Sequence, residues 1–358
     1  MKTLNRRDFI KGVAALSTAA VCSVAAGNAF ADEEKPAETA VQPDAVEPAT
    51  PTEPGQTPKL PWGKYQELDP EYVRKLGHLG YYLQECAGGA FWGIMTALKE
   101  KAGYPYTTIP LPTMDDFMAN IDNKKHGLQV PMSYGAGGVA GFGTLCGAPN
   151  GAACAITYIL PMEQAEKLIQ RLLRYYEVEE FPTKESNDMA VHHEFYPKKM
   201  KSDKALLRSA SDSVLCHVSV GKWCEKSGYA SGSKERAERC GRITGDIAAM
   251  AVKMLNAHMK GELDAVFPMK LSHDTVGCMT CHDKGEKFET GQFTRGKMDC
   301  GDCHDEKMEP HRGPNTLKTA YGTDVTTFAG AAVIGTIAGI GAHAVNKRIT
   351  KGKNDDEE

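Results

Sequence analysis

Two short motifs near the C-terminal end of the chain carry the clearest chemical signal. Residues 278–282 read CMTCH and residues 300–304 read CGDCH. Each is a C-x-x-C-H motif, the attachment signature of c-type haem. Two cysteines three residues apart can present their sulfurs to the two vinyl groups of one porphyrin, and the adjacent histidine can reach the iron. The sequence therefore predicts two covalently bound haems.

The motifs also identify the residues that would bind these haems. Two C-x-x-C pairs can alternatively hold one zinc ion, but a zinc ribbon needs no histidine after both pairs and usually sits in a reducing compartment. Haem is therefore the favoured interpretation. The predicted covalent attachments are Cys278, Cys281, Cys300 and Cys303, and the predicted axial ligands are His282 and His304.

A sixth ligand for each iron must come from the remaining histidines or from methionine. His217 is a candidate because it adjoins a cysteine, and His192 and His193 are candidates because they form an adjacent pair. His311 follows the second motif by only seven residues. The other histidines of the body are weaker candidates: His78, His126, His258 and His273.

The first 31 residues have the features of an export signal. The run NRRDFIKG contains Arg6 and Arg7 in the pattern of the twin-arginine pathway. An apolar stretch follows, and the small residues around Phe30 predict cleavage before Asp32. Cys22 would be removed with this signal. We expect the mature protein on the periplasmic side of the cytoplasmic membrane.

The next segment, residues 32–61, predicts a disordered acidic linker. It contains seven prolines, seven acidic residues, two lysines and no aromatic residue. Such a segment buries too little apolar surface to offset the entropy lost on ordering. The formal net charge of the whole chain is only −4, and no basic run accompanies it. Composition therefore gives no support to nucleic-acid binding.

Hydrophobic spacing predicts a mainly α-helical fold. Apolar or small residues recur at three- and four-residue steps from Asp69 to Lys101, which indicates one helix face. Further helices are predicted at Met162–Tyr176, at Asp203–Cys224 and from Ser233 to about Met259. We expect a helical cysteine-containing domain at 62–265 and a dihaem segment at 266–320.

A single transmembrane helix is predicted at the C-terminal end. Residues 325–345 form a 21-residue stretch without a formal charge, long enough to span a hydrocarbon core. Lysines and arginine follow it, so the tail at 346–358 is expected in the cytoplasm. A buried Gly/Ala-rich helix is the alternative. The span also contains His343, whose role the sequence leaves open.

Six cysteines lie outside the haem motifs and the export signal: Cys86, Cys146, Cys154, Cys216, Cys224 and Cys240. One of them, Cys146, lies in a glycine-dense run that no predicted strand precedes. The run therefore does not form a phosphate-binding loop. Its glycines are expected to let the backbone approach a cofactor or another helix closely.

These cysteines carry a family resemblance. CGAPNG, residues 146–151, matches the CGAxxG element of the redox-active protein family named for its C-GCAxxG-C-C pattern. With the haem motifs downstream, residues 70–310 resemble a split-Soret cytochrome c. The resemblance implies a helical homodimer with bis-histidine haems and an iron–sulfur centre. It carries over four cysteines: Cys86, Cys146, one of Cys216 or Cys224, and Cys240.

The export route independently favours an iron–sulfur centre. The twin-arginine pathway moves folded proteins, and a cofactor loaded in the cytoplasm would require that route, whereas c-type haem is attached after export. Thiolate-bound iron–sulfur is the obvious candidate. Structural disulfides, a redox-active dithiol and buried inert thiols stay open as alternatives.

The leading functional hypothesis is a membrane-anchored periplasmic protein that passes electrons between redox partner proteins. The alternative is a small multi-cofactor reductase with an open haem or cluster site, although no paired-carboxylate or nucleophile–base motif supports it. A haem-based sensor would lack any output domain apart from the short tail. Whether the haem irons are six-coordinate separates electron transfer from catalysis.

Overall fold

A computed structural model describes residues 58–123, 127–194, 200–286, 294–301 and 304. Within these ranges the only pairings of extended chain are two isolated antiparallel bridges, Leu145 with Leu215 and Phe181 with Ser209. The predicted mainly α fold is therefore confirmed. The helices are α1 Pro70–Ala102, α2 Met114–Asn120, α3 Gly147–Ile159, α4 Met162–Val178, α5 Lys184–Val191, α6 Cys216–Ser227, α7 Lys234–Met259, α8 Leu263–Val266 and α9 His273–His282.

Several predicted segments lie outside the described residues. These are the export signal at 1–31, most of the linker at 32–61, the transmembrane helix at 325–345 and the tail at 346–358. Among the residues that are described, no helix combines the length and the apolar character needed to cross a membrane. The boundary between a cysteine-containing domain and a dihaem segment stays a prediction.

Helix α1 begins where the sequence predicts, but it folds back on itself at Glu85. That residue has φ 54° and ψ −161°. The hydroxyl of Tyr72 donates to Glu100 over 2.7 Å, although 28 residues would span about 42 Å in a straight helix. The two arms, 70–84 and 86–102, therefore pack antiparallel. The prediction of one continuous helix face was wrong here, because nothing in the residue pattern marks the reversal.

Glycines allow the two arms to touch through their backbones. A Cβ atom added to Gly93 would lie 2.8 Å from the Cα of Gly77, and one added to Gly89 would lie 2.5 Å from the backbone nitrogen of Tyr81. No side chain fits between the arms at these points. The first residue after the reversal is Cys86, so the hairpin fixes the position of that thiol.

Helices α3 and α7 pack against this hairpin through further glycines. A Cβ atom on Gly147 would lie 2.8 Å from the Cβ of Cys86, and one on Gly151 would overlap the carbonyl oxygen of Ala87. On α7, a Cβ atom on Gly245 would lie 2.5 Å from the carbonyl oxygen of Arg74. The glycines of the CGAPNG element therefore bring α3 against the residues that follow the reversal, as the expectation of close approach anticipated.

Two buried carboxylates of α7 are paired with groups on α1 and α5. Asp246 on α7 accepts hydrogen bonds from Arg74 on α1 and from Thr183 and Ser186 at the start of α5. Glu238 accepts from Tyr82 over 2.7 Å and lies 2.9 Å from the ring nitrogen Nε2 of His78. Such pairing is required because an unpaired buried charge costs several kcal/mol, by the order of magnitude usual for proteins.

The predicted helix at Asp203–Cys224 was wrong in its first half. Residues 203–215 form bends and extended chain that makes both isolated bridges, through Ser209 and Leu215, and α6 begins only at Cys216. Ser211 donates from its Oγ to the carbonyl oxygen of Ser213 over 2.7 Å. Serine side chains that bond nearby backbone groups compete with helix formation, which accounts for the difference. The predicted helix after Ser233 is confirmed as α7, with that serine as its N-cap.

The close packing of the CGAPNG element should make the free energy of unfolding sensitive to any side chain added there. Gly151→Ala should lower the free energy of unfolding by about 1–3 kcal/mol, because the added methyl group forces backbone apart. Gly221→Ala on α6 is the matched control. A Cβ atom there meets nothing within 4 Å, so this change should be neutral or stabilising by about 0.4–1 kcal/mol. Chemical denaturation of both variants checks this, and equal effects would refute the packing argument.

Candidate functional site

Four cysteines that are distant in sequence line one small cavity. Cys86 follows the reversal in α1, Cys146 is the N-cap of α3, Cys216 begins α6, and Cys240 lies in the second turn of α7. The cavity measures about 10 Å³, roughly the volume that holds one water molecule. The other lining residues are Ala148, Tyr176, Ser219, Val220, Arg239 and Ile243.

A short backbone pairing holds two of these cysteines side by side. The amide of Cys146 donates to the carbonyl oxygen of Val214 over 2.9 Å, and the amide of Cys216 donates to Thr144 over 2.7 Å. Both cysteines therefore start helices at the same place. The N-terminus of a helix favours negative charge, so two helix starts at the cavity favour thiolate ligands.

The glycine-rich loop before Cys146 closes over the same place. Gly138 has φ 70°, and a Cβ atom there would lie 2.8 Å from the Cβ of Cys216. Gly143 has φ 77° and a Cβ atom on it would lie 3.1 Å from the Cβ of His217. A residue with a side chain is strained at such φ values, so the loop needs glycine for both backbone shape and space.

The four thiols do not share one electrostatic environment. A hydrogen bond from Cys86 and the nearby guanidinium groups of Arg239 and Arg236 lower the pKa of Cys240, against the effect of burial. The hydrogen bond to Cys240, together with burial, raises the pKa of Cys86. Burial also raises the pKa of Cys146, to about 12. One thiolate is therefore already favoured at neutral pH, while its neighbours keep their protons.

Two buried polar groups at the cavity lack a hydrogen-bond partner of ordinary geometry among the described residues. They are the hydroxyl of Tyr176 and the Nε of Arg239. Burial raises the pKa of Tyr176, and the nearby thiol of Cys146 raises it further. The hydroxyl therefore lies close to this thiol, although the two do not form a hydrogen bond of ordinary geometry. Buried donors of this kind normally have an acceptor, and the sulfur atoms of a bound centre would supply one.

Arg239 has a second unusual property. It is 1% exposed, and its Nη2 donates to the hydroxyl of Ser219 over 3.1 Å, yet no carboxylate pairs with it among the described residues. A buried cation is costly without a counter-charge. Arg236 adds a second cation, donating to the sulfur of Cys240 over 3.8 Å. The cavity is thus prepared for a negatively charged occupant.

The chemistry of these residues fits thiolate-bound iron, with one geometric condition. Among the described residues no three histidine, cysteine or acidic side chains are grouped so that they could hold a metal ion as they stand. A cluster of several irons spans a wider space than one ion does. The thiol side chains would have to rotate outward to admit it, because the cavity itself is small.

The structure separates the two extra cysteines from the cavity. Cys224 lies two turns along α6 from Cys216 and is half-buried, and Cys154 is a half-buried residue of α3. Neither lines the cavity. Of the two candidates that the sequence left open, Cys216 is the one that the structure places beside Cys86, Cys146 and Cys240.

Sequence reasoning missed the polar residues of the cavity. Tyr176 and Arg239 were not among the predicted site residues, and Arg239 was visible only as a cation directly before Cys240. A buried cation next to a candidate metal ligand is a usable signal. No comparable signal marked Tyr176, which occupies one position of an ordinary amphipathic helix.

The first haem motif forms the last turn of α9, within His273–His282. Cys278, Cys281 and His282 are spaced i, i+3 and i+4, so they lie on one side of that turn. In the second motif, the backbone amide of Cys300 donates to the hydroxyl oxygen of Thr275 over 3.3 Å, and Cys303 lies outside the described residues. Slight burial and the adjacent thiol of Cys300 raise the pKa of Cys278, so the two motifs lie close together.

The histidine candidates occupy varied positions. His217 is exposed in the first turn of α6, and His192 and His193 are exposed at the end of α5. His78 is buried against Glu238. His258 lies 3.0 Å from Gln164 through its Nε2, and His273 is exposed at the start of α9. The other two, His126 and His311, lie outside the described residues.

Comparison with known proteins places the chain in a family. A model described as "Putative redox-active protein (C_GCAxxG_C_C)" matches residues 113–254. The split-Soret cytochrome c of Desulfovibrio desulfuricans (strain ATCC 27774 / DSM 6949 / MB) is 34% identical over 245 residues, which cover 67% of this chain and 77% of that protein. This chain belongs to the split-Soret cytochrome c family.

A solved structure supports the assignment. It describes a novel iron centre in the split-Soret cytochrome c from Desulfovibrio desulfuricans ATCC 27774. The likeness has a TM-score of 0.56 at 30% sequence identity and covers 69% of this chain and 92% of that one. The predicted resemblance to the split-Soret cytochrome c family is therefore confirmed.

The ionisation of the cavity thiols predicts how metal binding depends on pH. Metal ligands are thiolates, and three of the four thiols have raised pKa values. Once their side chains rotate toward one ion, the four thiols should bind Co²⁺ together, and adding Co²⁺ near pH 8 to protein stripped of any non-haem iron should release about three protons. Apparent affinity should fall steeply as the pH is lowered, because protons compete for those thiols.

Calorimetry in buffers of different ionisation enthalpy measures the proton release. A Cys154→Ser variant is the control and should release the same number, because that thiol lies away from the cavity. Release of one proton or none would show that the four cysteines do not bind the metal together.

Proposed function

We propose that this protein is an electron-transfer cytochrome that carries two c-type haems and an iron–sulfur centre. The convergence of four remote cysteines around one electropositive cavity, in a chain with two complete C-x-x-C-H motifs, carries the proposal. Its membership in the split-Soret cytochrome c family supports a redox role, and the related protein with a described iron centre supports iron in addition to haem.

The ligands of the iron–sulfur centre would be Cys86, Cys146, Cys216 and Cys240. When bound, such a centre stores and releases one electron at a time. The buried guanidinium group of Arg239 would balance the negative charge of the centre. The hydroxyl of Tyr176 would donate a hydrogen bond to one of its sulfur atoms. Hydrogen bonds to sulfur and exclusion of water set the reduction potential of such centres.

The haem ligands are proposed from the motifs. Cys278 and Cys281 would attach the first haem, with His282 on its iron. The second motif would attach the other haem in the same way, through Cys300, Cys303 and His304. The sixth ligands are proposed among His217, His192, His193 and His311, so that both irons are six-coordinate and transfer electrons without binding substrate.

The location and partners of the protein also belong to this proposal. An export signal at 1–31 and a membrane helix at 325–345 would hold the body on the periplasmic side of the cytoplasmic membrane. There it would pass electrons between redox partner proteins as a homodimer, and no nucleic acid is involved.

Detergent, but not high salt, should release the mature protein from membranes, because the membrane helix would be buried in the lipid. Release by high salt would contradict anchoring by this helix.

The haem content gives a direct test. Mass spectrometry of the mature protein should show two covalent haem adducts per chain. Cys278→Ala should impair attachment at the first motif and leave the second haem in place, because each motif is complete by itself. A mature chain with fewer than two adducts, produced under conditions that mature other c-type cytochromes, would refute the dihaem assignment.

The cysteine assignment is tested by a matched pair of serine variants. Cys146→Ser removes a cavity thiol and should abolish acid-labile sulfide and the paramagnetic signal of the reduced centre, while both haems stay attached. Cys154→Ser changes a cysteine of the same helix outside the cavity and should leave both signals intact. Equal behaviour of the two variants would count against the cavity as the binding site.

A further inference from the structure

The C-terminal end of α4 contacts both the cysteine cavity and the segment directly before the second haem motif. Tyr176 and Glu177 are consecutive residues there and are 1% and 2% exposed. Tyr176 lines the cavity. Glu177 accepts on its Oε1 a hydrogen bond from the backbone amide of Asp299 over 3.2 Å. Asp299 directly precedes Cys300, where the second haem would be attached.

Further contacts hold this junction together. Arg174 donates to the Oε2 of Glu177 over 2.8 Å and lies 3.8 Å from the carboxylate of Asp299. Lys297 donates to Gln170, one turn earlier on α4, over 3.0 Å. The segment that leads into the second haem motif is therefore bound to α4 through both backbone and side chains.

Glu177 also makes a backbone hydrogen bond to the segment 212–214, which pairs with Cys146 at the cavity. Its backbone oxygen accepts from the amide of Asp212 over 2.9 Å. Two residues further on, Val214 accepts from the amide of Cys146. Glu177 thus contacts the segment before the second haem motif through its side chain, and through its backbone the segment that pairs with Cys146 at the cavity.

We infer that Glu177 is a positioning residue that fastens the second haem beside the cysteine cavity, so that the two redox sites exchange electrons directly. The exchange moves one electron: one iron site is oxidised by one electron as the other is reduced by one, and no bond forms or breaks. Electron tunnelling falls steeply with distance, so a fixed short separation is what the contacts of Glu177 would supply. This inference rests on the proposed iron–sulfur centre.

Two substitutions at Glu177 separate its contributions. Glu177→Ala removes the acceptor for the amide of Asp299, whereas Glu177→Gln keeps an acceptor and removes the charge that holds Arg174. Glu180→Ala is the matched control, because Glu180 is an exposed carboxylate of the same segment, and its nearest cation, Arg208, lies at 3.7 Å. All variants are made in the full-length, haem-loaded protein.

The first measurement needs no second redox centre. Amide hydrogen exchange in residues 294–301 should be at least tenfold faster in Glu177→Ala, with a smaller increase in Glu177→Gln and none in Glu180→Ala. The second measurement is the rate at which electrons redistribute between haem and centre after flash photoreduction with less than one electron per chain. That rate should fall at least tenfold in Glu177→Ala, with haem and sulfide contents unchanged.

The outcomes distinguish this inference from the proposed function. Unchanged amide exchange in Glu177→Ala would show that Glu177 does not fasten the segment and would overturn the inference. Faster amide exchange with an unchanged electron rate would overturn its electron-transfer role. If the wild-type protein holds no labile sulfide, the proposed function fails and the electron role fails with it, whereas amide exchange still reports whether Glu177 fastens the segment.

Discussion

The close approach of backbones at Cys86 is the constraint on which the cavity depends. The chain reverses immediately before this residue, and the two arms of α1 meet at glycines. Helix α3 then packs its own glycines, Gly147 and Gly151, against Cys86 and Ala87. A methyl group at these positions would push the helices apart and separate the thiols. The glycines of the family pattern are therefore explained by packing, and the cysteines by what that packing brings together.

The residues around the cavity also carry unbalanced positive charge. Arg239 is buried without a carboxylate partner among the described residues, and Arg236 donates to the sulfur of Cys240. Two helix starts add further positive potential at Cys146 and Cys216. Among the described residues the other two buried arginines are matched, Arg74 by Asp246 and Arg242 by Glu238. The contrast indicates that the counter-charge of the cavity is its own thiolates and whatever they bind.

Much of this could be predicted from the sequence. Helical spacing gave the positions of α4 and α7, and the caps Asp69 and Ser233 gave two helix starts, since these signals are local. The reversal at Glu85 could not be predicted, because it depends on glycine contacts between residues 16 apart, such as Gly77 and Gly93. The extended segment before Cys216 was missed because serine side chains bond the backbone locally, a competition that hydrophobic spacing does not register.

The sequence predicts which types of residue form the candidate site, but it does not predict how they are arranged in space. The C-x-x-C-H motifs identify their ligands by spacing alone. The choice between Cys216 and Cys224 needed the pairing of Leu145 with Leu215, which joins two segments far apart in the chain. Tyr176 and Glu177 carry no sequence signal, because their importance comes only from what lies on either side of α4.

We propose that the thiols of the cavity hold iron in addition to the iron of the haems. Iron, acid-labile sulfide and haem can be quantified together on the native protein purified without oxygen, with low-temperature paramagnetic resonance after reduction by dithionite. We expect iron in excess of haem, acid-labile sulfide, and a paramagnetic signal from the reduced centre. Iron equal to haem, no sulfide, and cavity cysteines joined in disulfides would show that these thiols hold no iron.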